Sequence, residues 1–179
     1  MFLFIIKYLM TSLQRTLVVL KPDTIWRSIV WEIISRFERA WLHIVAIKMV
    51  RPDKEFFYGH YETIWTMITR HGQKIFEDTI KMIMMNPVIA IVLEGIEIVE
   101  YVRKIVWSTE PKSAPAGTIR WDFAHISYGR CDEAWIGIPN LVHASGSVEE
   151  AEKEIAHWFD KKELFEYDSL HWKFTHLKK

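Results

Sequence analysis

Short runs of aliphatic residues alternate with amphipathic stretches along the 179 residues of this chain. The aliphatic runs predict four β-strands, at residues 15–20, 43–50, 88–93 and 140–143. The stretches between them carry apolar side chains at helical spacing, as Ile29, Ile33 and Phe37 do in a helix predicted for residues 28–40. The pattern therefore predicts strands that alternate with helices.

The order of these elements predicts the fold class. A helical hairpin over residues 53–85 separates the second strand from the third, and a loop rich in Pro, Gly, Ser and Ala over residues 108–139 precedes the last strand. This order is typical of an α+β protein of the ferredoxin-like type. We expect an α/β sandwich around a four-stranded antiparallel sheet, with a helical hairpin insertion and a long loop before the last strand. Loops this long inside a compact domain are usually functional.

Length and composition predict one domain at residues 10–179, preceded by an apolar extension at residues 1–9. The extension is shorter than the roughly 20 apolar residues of a membrane-spanning helix and lacks the basic start of a signal peptide. Lys plus Arg and Asp plus Glu are equal, at 23 each, so no net charge attracts nucleic acid or an anionic membrane. The single cysteine, Cys131, fits a cytoplasmic protein. We expect a cytoplasmic location with no membrane or nucleic-acid partner.

One histidine stands in a place suited to chemistry. His143 ends a short apolar run, and Ser147 with Glu150 has the spacing of a capping box at the start of a helix. The imidazole is thus predicted beside the donor-rich start of a helix, where anions tend to bind. Taken alone, a histidine of this kind serves packing or capping more often than catalysis.

Three motifs in the sequence favour a catalytic role for His143 over a structural one. They are TLVVLKPD at residues 16–23, GTIRWDF at residues 117–123 and NLVHASGSVEEAEKEI at residues 140–155. Together they resemble the nucleoside diphosphate kinases, and the resemblance extends with insertions from about Arg15 to Phe159.

The resemblance implies transfer of the γ-phosphate from a nucleoside triphosphate to a nucleoside diphosphate by a ping-pong mechanism. His143 matches the histidine that carries the phosphate, and imidazole suits this role because it is nucleophilic near neutral pH. The ring nitrogen that faces the phosphate must be unprotonated, so the other nitrogen needs an acceptor. Glu154 matches the glutamate that supplies it, and Ser145 matches a serine close to the histidine.

The resemblance also implies a nucleotide site. The residues matching those that contact phosphates, ribose or the active-site wall are Lys21, Tyr61, Arg103, Thr109, Arg120 and Asn140. Three cations among them would clamp a polyanion, as phosphoryl transfer requires. The family stacks the base on an aromatic residue of the hairpin. Counting back from Pro87 reaches Ile75, but the hairpin carries extra residues, and we favour the neighbouring Phe76.

ATP and other nucleoside tri- and diphosphates are the implied substrates, with Mg²⁺ as the cofactor. The Mg²⁺ would be held by the nucleotide phosphates, and no metal ligand is expected from protein side chains. The resemblance further implies self-association to a homo-oligomer, a hexamer or a tetramer.

This chain departs from the family's pattern at several points. Tryptophan stands where the family usually has glycine, at Trp31, Trp41, Trp107 and Trp121. Because glycine serves positive φ or close backbone approach, strain is expected at these residues. Insertions lengthen the chain near residues 65–72 and 131–138. A nucleotide-binding or interaction protein with impaired catalysis on the same scaffold is therefore the alternative function.

Overall fold

The computed structural model describes residues 13–134, 136–168 and 170 of the chain. The predicted extension at residues 1–9 lies outside the described residues. In chain order the strands and α-helices are β1 (Leu13–Leu20), α1 (Pro22–Trp26), α2 (Val30–Arg39), β2 (His43–Val50), α3 (Lys54–Tyr58), α4 (Met67–His71), α5 (Gln73–Ile83), β3 (Val88–Ile96), α6 (Ile98–Val106), α7 (Ile119–Phe123), α8 (Tyr128–Ala134), β4 (Val142–Ala144) and α9 (Val148–Trp158). A π-helical stretch follows α3 (Gly59–Ile64), and 3₁₀ turns lie at Pro111–Ser113 and Lys161–Glu163.

The strands form one antiparallel sheet in the order β2-β3-β1-β4. The predicted fold class, an α/β sandwich around a four-stranded antiparallel sheet, is confirmed. β1 and β3 are central and pair along eight residues, whereas β4 joins the edge of the sheet through three pairs, from Val18–Ala144 to Leu20–Val142. The shortest strand therefore carries the candidate nucleophile, His143.

Each face of the sheet buries its own apolar cluster, because successive side chains of a strand point to opposite faces. Leu17 and Val19 of β1 lie on the face covered by α5, α9 and the π-helical stretch. Val18 and Leu20 lie on the opposite face, against α2 and α6. The alternation of buried residues thus positions α9 and the hairpin on one face, beside β4.

The tryptophans at expected glycine positions fall into two groups. Trp41 and Trp107 have positive φ, of 63° and 73°. Trp41 lies two residues after the end of α2, and Trp107 directly follows the end of α6. The Trp41 and Leu42 amides donate to carbonyls of the last turn of α2, which is the helix ending that favours glycine. Trp31 and Trp121 lie in helices, without positive φ, and their side chains are 75% and 50% exposed. Among these four tryptophans, the strain of a positive φ is therefore confined to Trp41 and Trp107.

Both predicted insertions contain helical residues. α4 lies within residues 65–72, and α8 extends into residues 131–138, inside the segment expected to be an irregular loop. Within the described part of the chain, no helix is long and apolar enough to cross a membrane.

Candidate active site

A cleft of about 520 Å³ lies at the junction of β1, β4, α6 and the hairpin. Its size is in the range of small-molecule sites. Most of the residues singled out from the sequence line this cleft, namely Lys21, Tyr61, Arg103, Thr109, Arg120, Asn140 and His143. The fold therefore brings together side chains that are separated by more than 100 positions in the chain.

His143 is held at the wall of the cleft by a buried carboxylate. Its Nε2 lies 2.9 Å from Oε1 of Glu154, and the His143 side chain is 11% exposed. The Ser145 hydroxyl donates to Oε2 of Glu154 at 2.6 Å and accepts the Leu17 amide at 3.1 Å. Glu154 and Ser145 are both completely buried. Ser145 therefore acts on the histidine through Glu154 and anchors the pair to β1.

The environment of Glu154 favours its ionised form. Burial alone would raise the pKa of this carboxyl, but the charge and hydrogen bond of His143, with Ser145, lower it to about 2. An ionised carboxylate beside Nε2 favours the tautomer that carries its proton there. The same hydrogen bond leaves Nδ1 as the ring nitrogen that is not engaged by Glu154.

A second histidine lies behind the first and was not identified from the sequence. The rings of His60 and His143 meet edge to face, with centroids 4.6 Å apart. The indole of Trp158 donates to Nδ1 of His60 at 3.1 Å. Burial, followed by the charge of His143, lowers the pKa of His60 well below its usual value, so this ring is neutral. The only available signal was its position beside Tyr61, because its spacing to other histidines predicts no metal site.

Tyr61 lies on the same wall of the cleft. Its ring is 2% exposed, with its centroid 6.3 Å from that of His143. Burial raises the pKa of its phenol, and the charges of Glu154 and Asp23 add to this effect. Tyr61 is therefore a neutral wall residue packed beside the histidine.

The predicted cations Lys21, Arg103 and Arg120 also line the cleft and form its cation wall. Lys21 and Arg120 are both 7% exposed. Burial and the charge of Arg120 lower the pKa of Lys21 to about 8, with Asp23 opposing the shift. Burial and the charge of Arg103 lower the pKa of Arg120 to about 10. A site in which burial and neighbouring positive charge lower the pKa of its cations gains stability when an anion binds.

Hydrogen bonds fix two of these cations around Asn140. The ammonium of Lys21 donates to Oδ1 of Asn140 at 2.7 Å, and Nδ2 of Asn140 donates to the Thr109 carbonyl at 2.7 Å. The guanidinium of Arg120 donates to the carbonyls of Trp107, Asn140 and Val142. Arg120 therefore also ties the segment before His143 to the end of α6.

The residue favoured for base stacking is corrected by the structure. Phe76 is 3% exposed and belongs to the apolar cluster beneath the sheet, because α5 turns this side chain inward. Ile75, one position earlier, is 46% exposed and lines the cleft. The extra residues of the hairpin obscured this register in the sequence. Phe76 is not available to a base in this arrangement, and Ile75 is.

The donor set of the cleft fits a divalent cation held chiefly by phosphates. Among the described residues, the carboxylates that line the cleft are Asp78 and Asp132. Asp78 forms ion pairs with Lys74 and Lys81, and Asp132 is exposed. His60, His143 and Glu154 form a group of the metal-ligating type, with ligand atoms within 4.8 Å of one another. Hydrogen bonds already engage four ligand-type atoms of this group, namely Nε2 of His143, both carboxylate oxygens of Glu154 and Nδ1 of His60.

Comparison with known proteins identifies the family. The model of the nucleoside diphosphate kinase family matches residues 14–164. The chain belongs to the nucleoside diphosphate kinase family. The resemblance read from the three motifs is thereby confirmed, and so is the prediction of a nucleotide phosphotransferase.

Relatives and solved structures of nucleoside diphosphate kinases agree with this result. The enzyme of Pyrococcus horikoshii is 44% identical over 160 residues, covering 88% of this chain and 92% of that protein. The enzyme of Borreliella burgdorferi is 39% identical over 155 residues, covering 87% and 92%. A structure of the Borrelia burgdorferi kinase, a transition-state mimic with vanadate and ADP, has a TM-score of 0.88 at 37% identity, covering 92% of this chain and 97% of that chain.

Proposed function

We propose that this kinase transfers the γ-phosphate of a nucleoside triphosphate to a nucleoside diphosphate through a phosphohistidine at His143. The observation that carries the proposal is the hydrogen bond between Nε2 of His143 and the buried carboxylate of Glu154, at 2.9 Å. It orients the ring and leaves Nδ1 unprotonated as the nucleophile. An orienting acceptor behind a nucleophilic or basic imidazole is a recurring arrangement in catalysis.

The reaction then proceeds in two balanced half-reactions. Nδ1 attacks the γ-phosphorus in line, an N–P bond forms, and the bond from phosphorus to the β–γ bridging oxygen breaks, so that the nucleoside diphosphate leaves. A second diphosphate binds in the same cleft, its terminal oxygen attacks the phosphorus, and the N–P bond breaks. The ionised Glu154 stabilises the proton on Nε2 in both half-reactions, and Ser145 holds Glu154 in place.

The cation wall supplies the electrostatic part of the mechanism. Lys21, Arg103 and Arg120 line the cleft together with His143. Negative charge spreads over the oxygens of the transferring phosphoryl group, so positioned cations lower the barrier. Lys21 and Arg120 are already fixed by hydrogen bonds around Asn140, and little reorganisation is needed when substrate arrives.

Mg²⁺ would be held by the nucleotide phosphates and would supply further charge neutralisation. Asp132, an exposed carboxylate of the cleft lining, would be available as a hydrogen-bond acceptor for the hydrated ion. Thr109 and Asn140 are proposed to contact the phosphate and ribose ends of the nucleotide. The base would lie against Ile75, an aliphatic surface without hydrogen-bonding specificity, so broad base tolerance is expected.

Three further expectations belong to this proposal. Residues 10–179 form one domain of the family, preceded by the extension at residues 1–9. The protein assembles as a homo-oligomer, a hexamer or a tetramer, and acts in the cytoplasm. The alternative, a protein with impaired catalysis, is not favoured, because neither Trp107 nor Trp121 lines the cleft.

The test is direct labelling. Incubation with γ-labelled ATP and Mg²⁺ should give an acid-labile, alkali-stable phosphoprotein that discharges onto added GDP. His143→Ala should not label, whereas His125→Ala, a change of an exposed histidine, should label like the parent. Equal labelling of His143→Ala and the parent would contradict the assignment. Retained nucleotide binding without any labelling of the parent would instead support the impaired-catalysis alternative.

A further inference from the structure

A strained turn lies immediately before the strand that carries His143. Leu141 has a φ of +72° and is completely buried, and the Val142 amide donates to the Asn140 carbonyl at 2.8 Å across it. This is a three-residue γ-turn with positive φ, a strained conformation for a residue with a branched side chain. Such strain persists only when the surroundings hold the residue in place.

The start of α1 provides that hold. The Leu141 amide donates to Oδ2 of Asp23 at 2.9 Å. The Leu141 carbonyl accepts two hydrogen bonds, from the Lys21 amide at 2.8 Å and from the Thr24 hydroxyl at 2.7 Å. Both polar backbone groups of the strained residue are therefore bound by one short segment, residues 21–24.

Solvent does not compete for these bonds. Asp23 is 6% exposed, and Thr24 is completely buried. Burial raises the pKa of Asp23, while the charge of Lys21 and the Leu141 amide oppose the rise. Loss of the Asp23 carboxylate would leave the Leu141 amide unsatisfied, which is the costly way to lose a hydrogen bond. Loss of the Thr24 hydroxyl would remove one of the two hydrogen bonds that hold the Leu141 carbonyl.

β4 is a short strand, and Arg120 also binds it through the Val142 carbonyl. It pairs with β1 through three residues, and His143 lies two positions after Leu141. A change in the turn would therefore rotate or shift the histidine directly. The hydrogen bond to Glu154 acts on the far side of the ring and does not hold the backbone.

We propose that Asp23 and Thr24 are positioning residues, which hold the strained turn at Leu141 and thereby direct Nδ1 of His143 towards the phosphate. This inference rests on the proposed role of His143 as the nucleophile. The two residues act through the turn and are not expected to touch the nucleotide. Their loss should slow phosphorylation of the histidine and leave nucleotide affinity nearly unchanged.

The test uses a matched set of threonine variants of the full chain. Thr24→Val keeps the shape of the side chain but removes the hydroxyl, and Thr24→Ser keeps the hydroxyl. Thr16→Val is the control, since Thr16 is also completely buried but its hydroxyl has no hydrogen-bond partner among the described residues. Rapid-quench labelling with γ-labelled ATP gives the rate of phosphohistidine formation, and titration with ADP gives the Kd.

Thr24→Val should slow labelling by roughly ten- to a hundredfold, because small displacements of a reacting group have effects of this size. Its Kd for ADP should stay within about twofold of the parent value, a change well below the tenfold that 1.4 kcal/mol represents. Thr24→Ser should largely restore the rate, and Thr16→Val should label at the parent rate. Asp23→Ala should slow labelling in the same way, with Asp23→Asn less affected because its amide oxygen still accepts the Leu141 amide.

The outcomes separate the two proposals. If the parent enzyme never labels, the phosphohistidine mechanism fails. If the parent labels and folded Thr24→Val labels at the same rate, the positioning role is overturned while His143 stands. A Thr24→Val variant whose rate is slow but is not restored in Thr24→Ser would also overturn it, because the hydroxyl would then not be the group that matters.

Discussion

The two walls of the cleft are stabilised in opposite ways. On the histidine wall, His143, Glu154 and Ser145 form a continuous chain of hydrogen bonds, in which both oxygens of the Glu154 carboxylate are engaged. On the cation wall, burial and a neighbouring positive charge lower the pKa of Lys21 and of Arg120. The proposed nucleophile is thus held by hydrogen bonds before substrate binds, whereas the proposed phosphate site lacks a compensating negative charge. A polyanionic substrate supplies what the second wall lacks.

The largest expected effect comes from breaking the histidine wall. Glu154→Gln keeps the shape of the side chain but removes the charge that stabilises a proton on Nε2. We expect kcat to fall by roughly two to four orders of magnitude, as when an orienting carboxylate is neutralised in a hydrolytic triad. Steady-state phosphate exchange between ATP and GDP measures the effect. Glu152→Gln, an exposed change on the same helix, is the control, and equal rates for both variants would contradict the role of Glu154.

A smaller effect is expected on the cation wall. Arg103→Gln removes a cation from the cleft, and its neighbour Lys104, paired with Glu100 outside the cleft, provides the control Lys104→Gln. We expect KM for the nucleotide to rise roughly tenfold in Arg103→Gln, the loss typical of a hydrogen bond to a charged group. The effect should shrink at high salt because a charge has been removed. An unchanged KM would show that Arg103 does not contact phosphate.

The pH dependence of binding sharpens the same contrast. Lys21 has a pKa of about 8, so it carries its charge below that pH and loses it above. Affinity for ADP should therefore weaken as pH rises from 7 to about 9, by up to about tenfold. Calorimetric titration across this range measures the dependence. Lys21→Met should bind ADP weakly at every pH, and its affinity should depend less on pH. If Lys21→Met kept the full pH dependence, a group other than Lys21 would be responsible for it.

The smallest effect concerns strain outside the cleft. Leu141 has positive φ and both its polar backbone groups are bound from α1, whereas Trp41 has positive φ at a helix end and is 57% exposed. Trp41→Gly should raise the free energy of unfolding by about 1 kcal/mol, because glycine enters the left-handed region without steric cost. Thermal unfolding measures this as a rise in Tm of a few degrees, about 2–4 °C for a chain of this size. Trp31→Gly, in the first turn of α2 without positive φ, should instead lower Tm, and the reverse order would refute the argument.

Hydrophobic periodicity predicted much of the fold but not its local geometry. The second strand was predicted at the residues that β2 occupies, His43–Val50, and the order of elements gave the right fold class. The last strand was predicted to begin at Asn140 but begins at Val142, because Leu141 adopts a left-handed turn. A pattern of apolar residues does not encode the sign of φ. The predicted loop also contains α8, a helix too short to give a clear period.

The candidate site was predictable where a motif carried it. His143, Lys21 and Arg120 each lie in a motif, and all three line the cleft. Phe76 was favoured over Ile75 for base stacking because the hairpin carries extra residues. The structure buries Phe76, whereas Ile75, which the count from Pro87 without gaps reaches, lines the cleft. The roles proposed for Asp23 and Thr24 could not be predicted from the sequence, since they depend on contacts with a residue more than 100 positions away.

The position of the phosphate on the ring tests the account most directly. Phosphorus and nitrogen NMR of the phosphorylated enzyme, with ¹⁵N-labelled histidine, distinguishes phosphate on Nδ1 from phosphate on Nε2. Because Glu154 holds Nε2 at 2.9 Å, we expect the phosphate on Nδ1 of His143, with a proton retained on Nε2. Phosphate on Nε2, or on any residue other than His143, would contradict the account.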